Sequence, residues 1–119
     1  MGRIAKGYNE DEIKAMAGYF YDQKFVKAKQ SYDEKLVKEG GKLHEKYCEK
    51  CHAEGGSSRE DDSGIMAGQW TPYLKWTLSD FKDGRREMPK KMKKKVDDML
   101  QSKGDAGLEA LLAYYASQK

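Results

Sequence analysis

Two cysteines, the only two in 119 residues, stand three positions apart with a histidine directly after the second: Cys48-Glu49-Lys50-Cys51-His52. At a helix end, thiols spaced this way can reach the two vinyl groups along one edge of a porphyrin, and the adjacent imidazole can turn to a central iron. A chain so marked has to fold around a bound plane rather than around its own side chains alone. Composition agrees, because 38% hydrophobic against 36% charged residues is a thin apolar supply for a core. A large apolar group that binds only the folded state would add stability by mass action. The length accommodates one domain, or one domain and an extension, but not two full domains.

Other uses of the motif fit less well. A thioredoxin-like dithiol wants a preceding strand and a βαβ context, and no convincing strand alternation occurs anywhere in the chain. A structural zinc site would gather His44 with Cys48, Cys51 and His52, but Cys51 and His52 are sequence neighbours that would have to converge on one ion. His44 is therefore read as a partly buried structural residue. For His52, a neutral ring nitrogen is a good iron ligand, and its other nitrogen is expected to donate to a backbone carbonyl that fixes the ring. A thioether sulfur would suit the opposite face of the iron. Met88 and Met92, in the segment Met88-Pro89-Lys90-Lys91-Met92, are the candidates, and periodicity does not choose between them; Met66 and Met99 fit ordinary packing.

The periodicities predict an all-α fold. Ile13, Met16, Ala17 and Phe20 form an apolar stripe behind a cap at Asn9 or Asp11. Residues 33 to about 50 read as a helix begun by Asp33, with Leu36, Val37, Leu43 and Tyr47 inward, and with an interruption or loosening at Gly40 and Gly41. Glycine costs a helix about 1 kcal/mol, a cost tolerated where another helix must come close, so Gly40 is expected to mark a crossing. Residues 53–64 read as a loop. Thr71 is expected to cap a helix with Pro72 at its first position, carrying Leu74, Leu78 and Phe81 and ending at Gly84. A stretch from about Lys91 to Ser102 carries Val96, Met99 and Leu100. Asp105 opens the last helix, with Leu108, Leu111, Leu112 and Tyr115 on one side and Tyr114 widening the face. Shifted by 95 positions, Ala15, Tyr19, Gln23 and Lys24 fall on Ala110, Tyr114, Gln118 and Lys119, and Ile13 and Met16 fall on Leu108 and Leu111. The two end helices thus read as an internal repeat.

A net charge of +3 makes no case for nucleic acid or an anionic membrane, and the chain lacks the 18-residue apolar run of a transmembrane segment. Charge is local instead. From Lys82 to Lys95 there are eight Lys or Arg against two acidic residues, a segment suited to steering an acidic redox partner.

From about Gly40 to Lys119 the chain resembles the class I cytochromes c. Gly40 stands eight residues before Cys48, and Tyr114 lies in Leu111-Leu-Ala-Tyr-Tyr-Ala116, which looks like that family's contact between first and last helices. His44 occupies its usual aromatic position, which would leave that contact looser or pH-sensitive. Gly64 stands where many members place a proline whose carbonyl receives the ligand histidine's N–H. The match is closer to tandem dihaem cytochromes, above all the haem subunit of flavocytochrome c sulfide dehydrogenase, on Cys48–His52, Ala67-Gly-Gln-Trp-Thr-Pro-Tyr-Leu74 and Asp80-Phe-Lys-Asp-Gly-Arg-Arg-Glu-Met-Pro-Lys-Lys-Met92.

The resemblance implies one covalent haem c in a cytochrome domain over 40–119, with Met92 preferred to Met88 as sixth iron ligand. Trp70, Tyr73 and Arg86 would serve the haem propionates. It implies electron transfer rather than enzyme catalysis, a flavoprotein sulfide dehydrogenase subunit as the redox partner, and a periplasmic location reached with a leader. The alternatives are a freestanding shuttle to an oxidase or reductase, or a gas sensor or peroxidase with an open iron position. Residues 1–39 look like the tail of a preceding cytochrome domain. Their helix, with Ile13, Met16 and Phe20 on one face, is expected to pack on the remaining domain or to pair with a second chain as a homodimer.

Overall fold

Polar side chains that can take the first free N–H groups mark where two of the long helices begin. In the computed structural model, which describes residues 2–59 and 63–118, these helices are α2 (Glu10–Tyr21) and α3 (Glu34–Tyr47). Asn9 and Glu12 form a reciprocal capping box at α2, each side chain accepting from the other's backbone N–H at 2.8–2.9 Å. At α3, Asp33 accepts from the Lys35 N–H at 2.9 Å. The remaining elements are α1 (Gly2–Ala5), a short α4 (Ala53–Gly56), α5 (Thr71–Lys82) and α6 (Lys90–Ser117). No strand occurs among the described residues, and the fold is all-α.

Three local expectations are corrected. Thr71 does not cap α5: it is already the first helical residue, Trp70 holds the cap position with no side-chain bond, and Pro72 comes second. The Thr71 hydroxyl is buried without a partner, while its N–H goes to the Gln30 side chain at 2.9 Å. Gly40 and Gly41 do not interrupt α3, which runs unbroken through both. The two helical stretches expected at about 91–102 and from 105 are both present, as successive arms of α6 separated by a break at Gly104 (φ 59°, ψ −156°). Only glycine populates that region readily, so the chain turns there, and the Asp105 carboxylate is taken by Lys82 at 2.6 Å instead of acting as a cap.

The core lies where α3 crosses the second arm of α6. A Cβ on Gly40 would run into the Ala110 backbone carbonyl and lie 2.7 Å from Tyr114 Cβ, so only a bare backbone permits this approach. Leu43, Leu108, Leu111, Leu112 and Tyr115 are buried around the crossing, with Met99 at 2% exposure below it. Each of these leucines contributes about 1.5–3 kcal/mol by leaving water. α5 lies along the same arm: Leu74 and Leu78 join the core, and Lys75–Glu109 (3.0 Å) and Lys82–Asp105 (2.6 Å) bridge the two helices at the surface. These exposed pairs add little stability.

α2 stands apart from this core. None of its residues is buried, and Ile13, Met16, Tyr19, Phe20 and Tyr21 are all exposed. Of the two expected fates of α2, packing on the rest of the chain is not what the structure shows, and pairing with a second chain is the one that its exposed face still suits. What holds it is the chain that follows. Ala28 N–H donates to Gly68 O at 2.7 Å, and the Gln30 amide both donates to Gln69 O (2.8 Å) and accepts from Thr71 N–H. Arg59 donates to Tyr21 O at 3.2 Å and stacks its guanidinium 4.6 Å from that ring.

Candidate functional site

The C-terminal end of α3 carries the motif. Cys48 is its C-cap, donating its N–H to His44 O at 2.8 Å. Cys51 and His52 N–H groups then close back on Cys48 O at 3.1 and 3.0 Å, so the five residues form one tight turn. Both thiols are free, Cys48 half-buried and Cys51 exposed. Burial pushes the Cys48 thiol upward, against the opposing effect of its hydrogen bond with the Tyr115 hydroxyl oxygen.

His52 Nδ1 is enclosed without a hydrogen-bond partner. Burial lowers the ring's basicity, the neighbouring His44 adds to the lowering, and the Gly64 backbone acts in the opposite direction. No hydrogen bond of ordinary geometry joins the His52 ring to the Gly64 backbone. Beyond His52 the chain is held by the glycine-rich loop: Ser63 Oγ donates to Cys51 O, and Met66 and Ala67 N–H both donate to Gly56 O. Within it, Glu54 (φ 56°) and Gly55 (φ 66°) take left-handed backbone.

His44 is 2% exposed. Its Nδ1 lies 2.9 Å from the Tyr115 hydroxyl and its Nε2 bonds the Glu49 carboxylate, while the Tyr114 and Tyr115 rings lie 5.4 and 5.5 Å away. In the contact between α3 and α6 the His44 ring packs beside both tyrosines and makes two side-chain bonds. Both ring nitrogens are committed, which removes His44 from a zinc set with the motif. No three His, Cys, Asp or Glu side chains form a metal cage among the described residues.

The residues expected on the far side sit on other elements. Met92 is half-buried in the first turn of α6. Met88, just before it, lines a hollow of about 390 Å³ with Phe81, Arg86, Val96 and Leu100 among others. Arg86 stacks 4.7 Å over Phe81. Trp70 and Tyr73 are about half exposed at the start of α5, Trp70 meeting Trp76 edge-on at 5.6 Å. No bond or ring contact joins these residues to the motif turn among the described residues.

Sequence reasoning missed the hydrogen-bonding parts of Glu49 and Tyr115. The motif assigns no role to Glu49, and the apolar stripe accounts for Tyr115 only as packing. The available signal was His44 itself, since a buried imidazole needs partners for both nitrogens. No protein-family model matches the chain, and no curated protein matches it. None of its helices is long and apolar enough to cross a membrane among the described residues.

Of the basic segment, Lys82, Arg85 and Lys93 are paired with Asp105, with Asp80 and Asp83, and with Asp97. Arg86, Lys90, Lys91, Lys94 and Lys95 have no ion pair among the described residues. Four of these cations sit at the start of α6, whose first turn holds no acidic residue. Cations at the positive end of a helix dipole oppose helix formation, so these lysines do not serve the stability of α6.

Proposed function

We propose that the chain is a c-type cytochrome of the class I kind that passes single electrons. The observation carrying this reading is the motif turn: two free thiols beside a histidine whose buried Nδ1 has no partner. His52 shares one tight helix-end turn with both thiols, and iron ligation through its other nitrogen would leave the enclosed Nδ1 to donate to a backbone acceptor. Cys48 and Cys51 would hold the haem covalently. Met92 would supply the sixth ligand, with Met88 as the fallback, and Trp70, Tyr73 and Arg86 would serve the propionates.

When bound, the haem supplies an iron that alternates between ferric and ferrous states. The protein's own work is to fix that group, to exclude water from one side of it, and to present a docking surface. The unpaired lysines at the start of α6 favour an acidic partner and a fast, salt-sensitive encounter. By resemblance, that partner is the flavoprotein subunit of a sulfide dehydrogenase in the periplasm. A freestanding shuttle would use the same surface.

Expression alongside a haem-attachment system tests the reading. The expected product carries one haem that denaturant does not remove, loses it when Cys48 and Cys51 are replaced by alanine, and gives a low-spin ferric spectrum. A high-spin ferric spectrum would sink the electron-shuttle reading and favour a gas-binding or peroxidase site. Reduction by the flavoprotein at a rate indifferent to ionic strength would remove the docking role of the lysines.

A further inference from the structure

Glu49 is a spacer in the motif, but in the fold it is the most heavily used side chain of the turn. Its carboxylate accepts from the Glu54 N–H at 3.1 Å and the Gly55 N–H at 3.3 Å, on the far side of His52, and it also bonds His44 Nε2. We infer that Glu49 is a positioning residue of the attachment turn, clamping the backbone after His52 and fixing, through His44, the Tyr115 hydroxyl beside Cys48.

The argument rests on hydrogen-bonding capacity and backbone cost. An ionised carboxylate only accepts, so His44 Nε2 must donate to Glu49. In the neutral ring, Nδ1 is then the acceptor and takes the Tyr115 hydroxyl proton. One acidic group therefore sets the tautomer of a buried histidine and the direction of a buried tyrosine O–H. On its other side the same carboxylate holds two successive N–H groups in a stretch where Glu54 occupies left-handed backbone, a conformation that a non-glycine residue keeps only when its surroundings enforce it. Gly55 completes the clamp from outside, since a Cβ there would lie 2.7 Å from the Tyr114 hydroxyl. Thus α3, the loop after His52 and α6 meet at this one side chain.

The inference concerns the geometry of residues 48–55, and its bearing on haem rests on the function proposed above. The test is amide hydrogen exchange and His52 ring NMR on the full chain, comparing Glu49→Ala, Glu49→Gln and Lys50→Ala. Glu49→Ala is expected to speed exchange at Glu54 and Gly55 by about tenfold or more while the Leu111 and Leu112 amides stay protected, and to shift the His52 ring signals. Glu49→Gln keeps an acceptor oxygen and is expected to restore most of the protection and the ring signals; Lys50→Ala should change neither. Unchanged exchange at Glu54 and Gly55 in Glu49→Ala would overturn the inference, as would equal loss of protection throughout α3 and α6, or an equal effect of Lys50→Ala. Because the readouts need no haem, a chain that takes none would refute the proposed function and still judge Glu49.

Discussion

A single methyl group at Gly40 should force the two crossing helices apart. In Gly40→Ala the new Cβ meets the Ala110 carbonyl, which is backbone and cannot rotate away, and lies 2.7 Å from Tyr114 Cβ. Overpacking of this kind costs about 1–3 kcal/mol, and more where the obstacle is rigid; the helix gains back about 1 kcal/mol from replacing glycine. The net expected loss is about 2 kcal/mol. Gly41→Ala provides the internal control, because its Cβ would meet only the edge of the Tyr114 ring at 3.3–3.4 Å, a group that can yield. That variant should be neutral or up to about 1 kcal/mol more stable. The gap of about 3 kcal/mol corresponds to about 10 °C in melting temperature for a chain of this length. Circular-dichroism melts of the two variants measure it directly. A Gly40→Ala protein as stable as Gly41→Ala would refute the reasoning, since both gain the same helix propensity and differ only in what the new methyl touches.

Met92→Leu should abolish the weak far-red ferric band of a sulfur–iron bond and lower the reduction potential, with Met88→Leu leaving both unchanged; the reverse pattern would transfer the ligand role to Met88. In the haem-free chain, burial raises the folded-state pKa of both Cys48 and Tyr115. Their contribution is complete below the ordinary thiol and phenol values and is lost as pH rises above about 9, because the unfolded chain releases these protons first. Urea titrations across that range should show stability falling on the alkaline side, and Tyr115→Phe should flatten the fall while costing about 1–2 kcal/mol at neutral pH. An alkaline limb as steep in the variant would remove Tyr115 from the account. Replacing Ile13, Met16 and Phe20 together by glutamine should leave the melting temperature within about 2 °C, since α2 buries nothing, and should abolish any self-association seen by sedimentation. A large loss of stability would mean that α2 packs on the body of the protein after all.

The helices and the crossing were legible because each announces itself locally. Asn9 and Asp33 are polar caps at the start of apolar stripes, and Gly40 is a glycine in a helix that has another helix to meet. Gly104 was legible only as a gap between two stripes, since the same residue ends a helix or kinks it depending on the conformation it takes. Thr71 misled because a threonine before a proline looks like a cap, while the helix starts one residue earlier and draws its acceptor from Gln30, a partner distant in sequence. The motif turn was readable to the residue. The partners of His44 were not, because burial tells that an imidazole needs two bonds and does not tell which side chains supply them. The repeat illustrates a further limit of pattern. Gln23 and Gln118 both reach back to a tyrosine carbonyl, at 3.0 and 3.2 Å, so the two helices end alike. Yet Phe20 is 70% exposed while Tyr115, its counterpart under the same shift, is 5% exposed. Similar local chemistry fixes the helix and leaves its neighbours undetermined.

The Gln30 side chain, with its two bonds to the segment that begins α5, also decides how the molecule bears load. A partner gripping α2 would pull along residues 23–33, and the tension would reach Gln30 and Ala28 before it reached any leucine of the core. These contacts join two stretches of chain side by side, so a pull along the chain loads them together and the clasp yields as a unit. Force applied at α2 would then fall on the start of α5, leaving the α3–α6 crossing and the turn at Cys48 mechanically insulated.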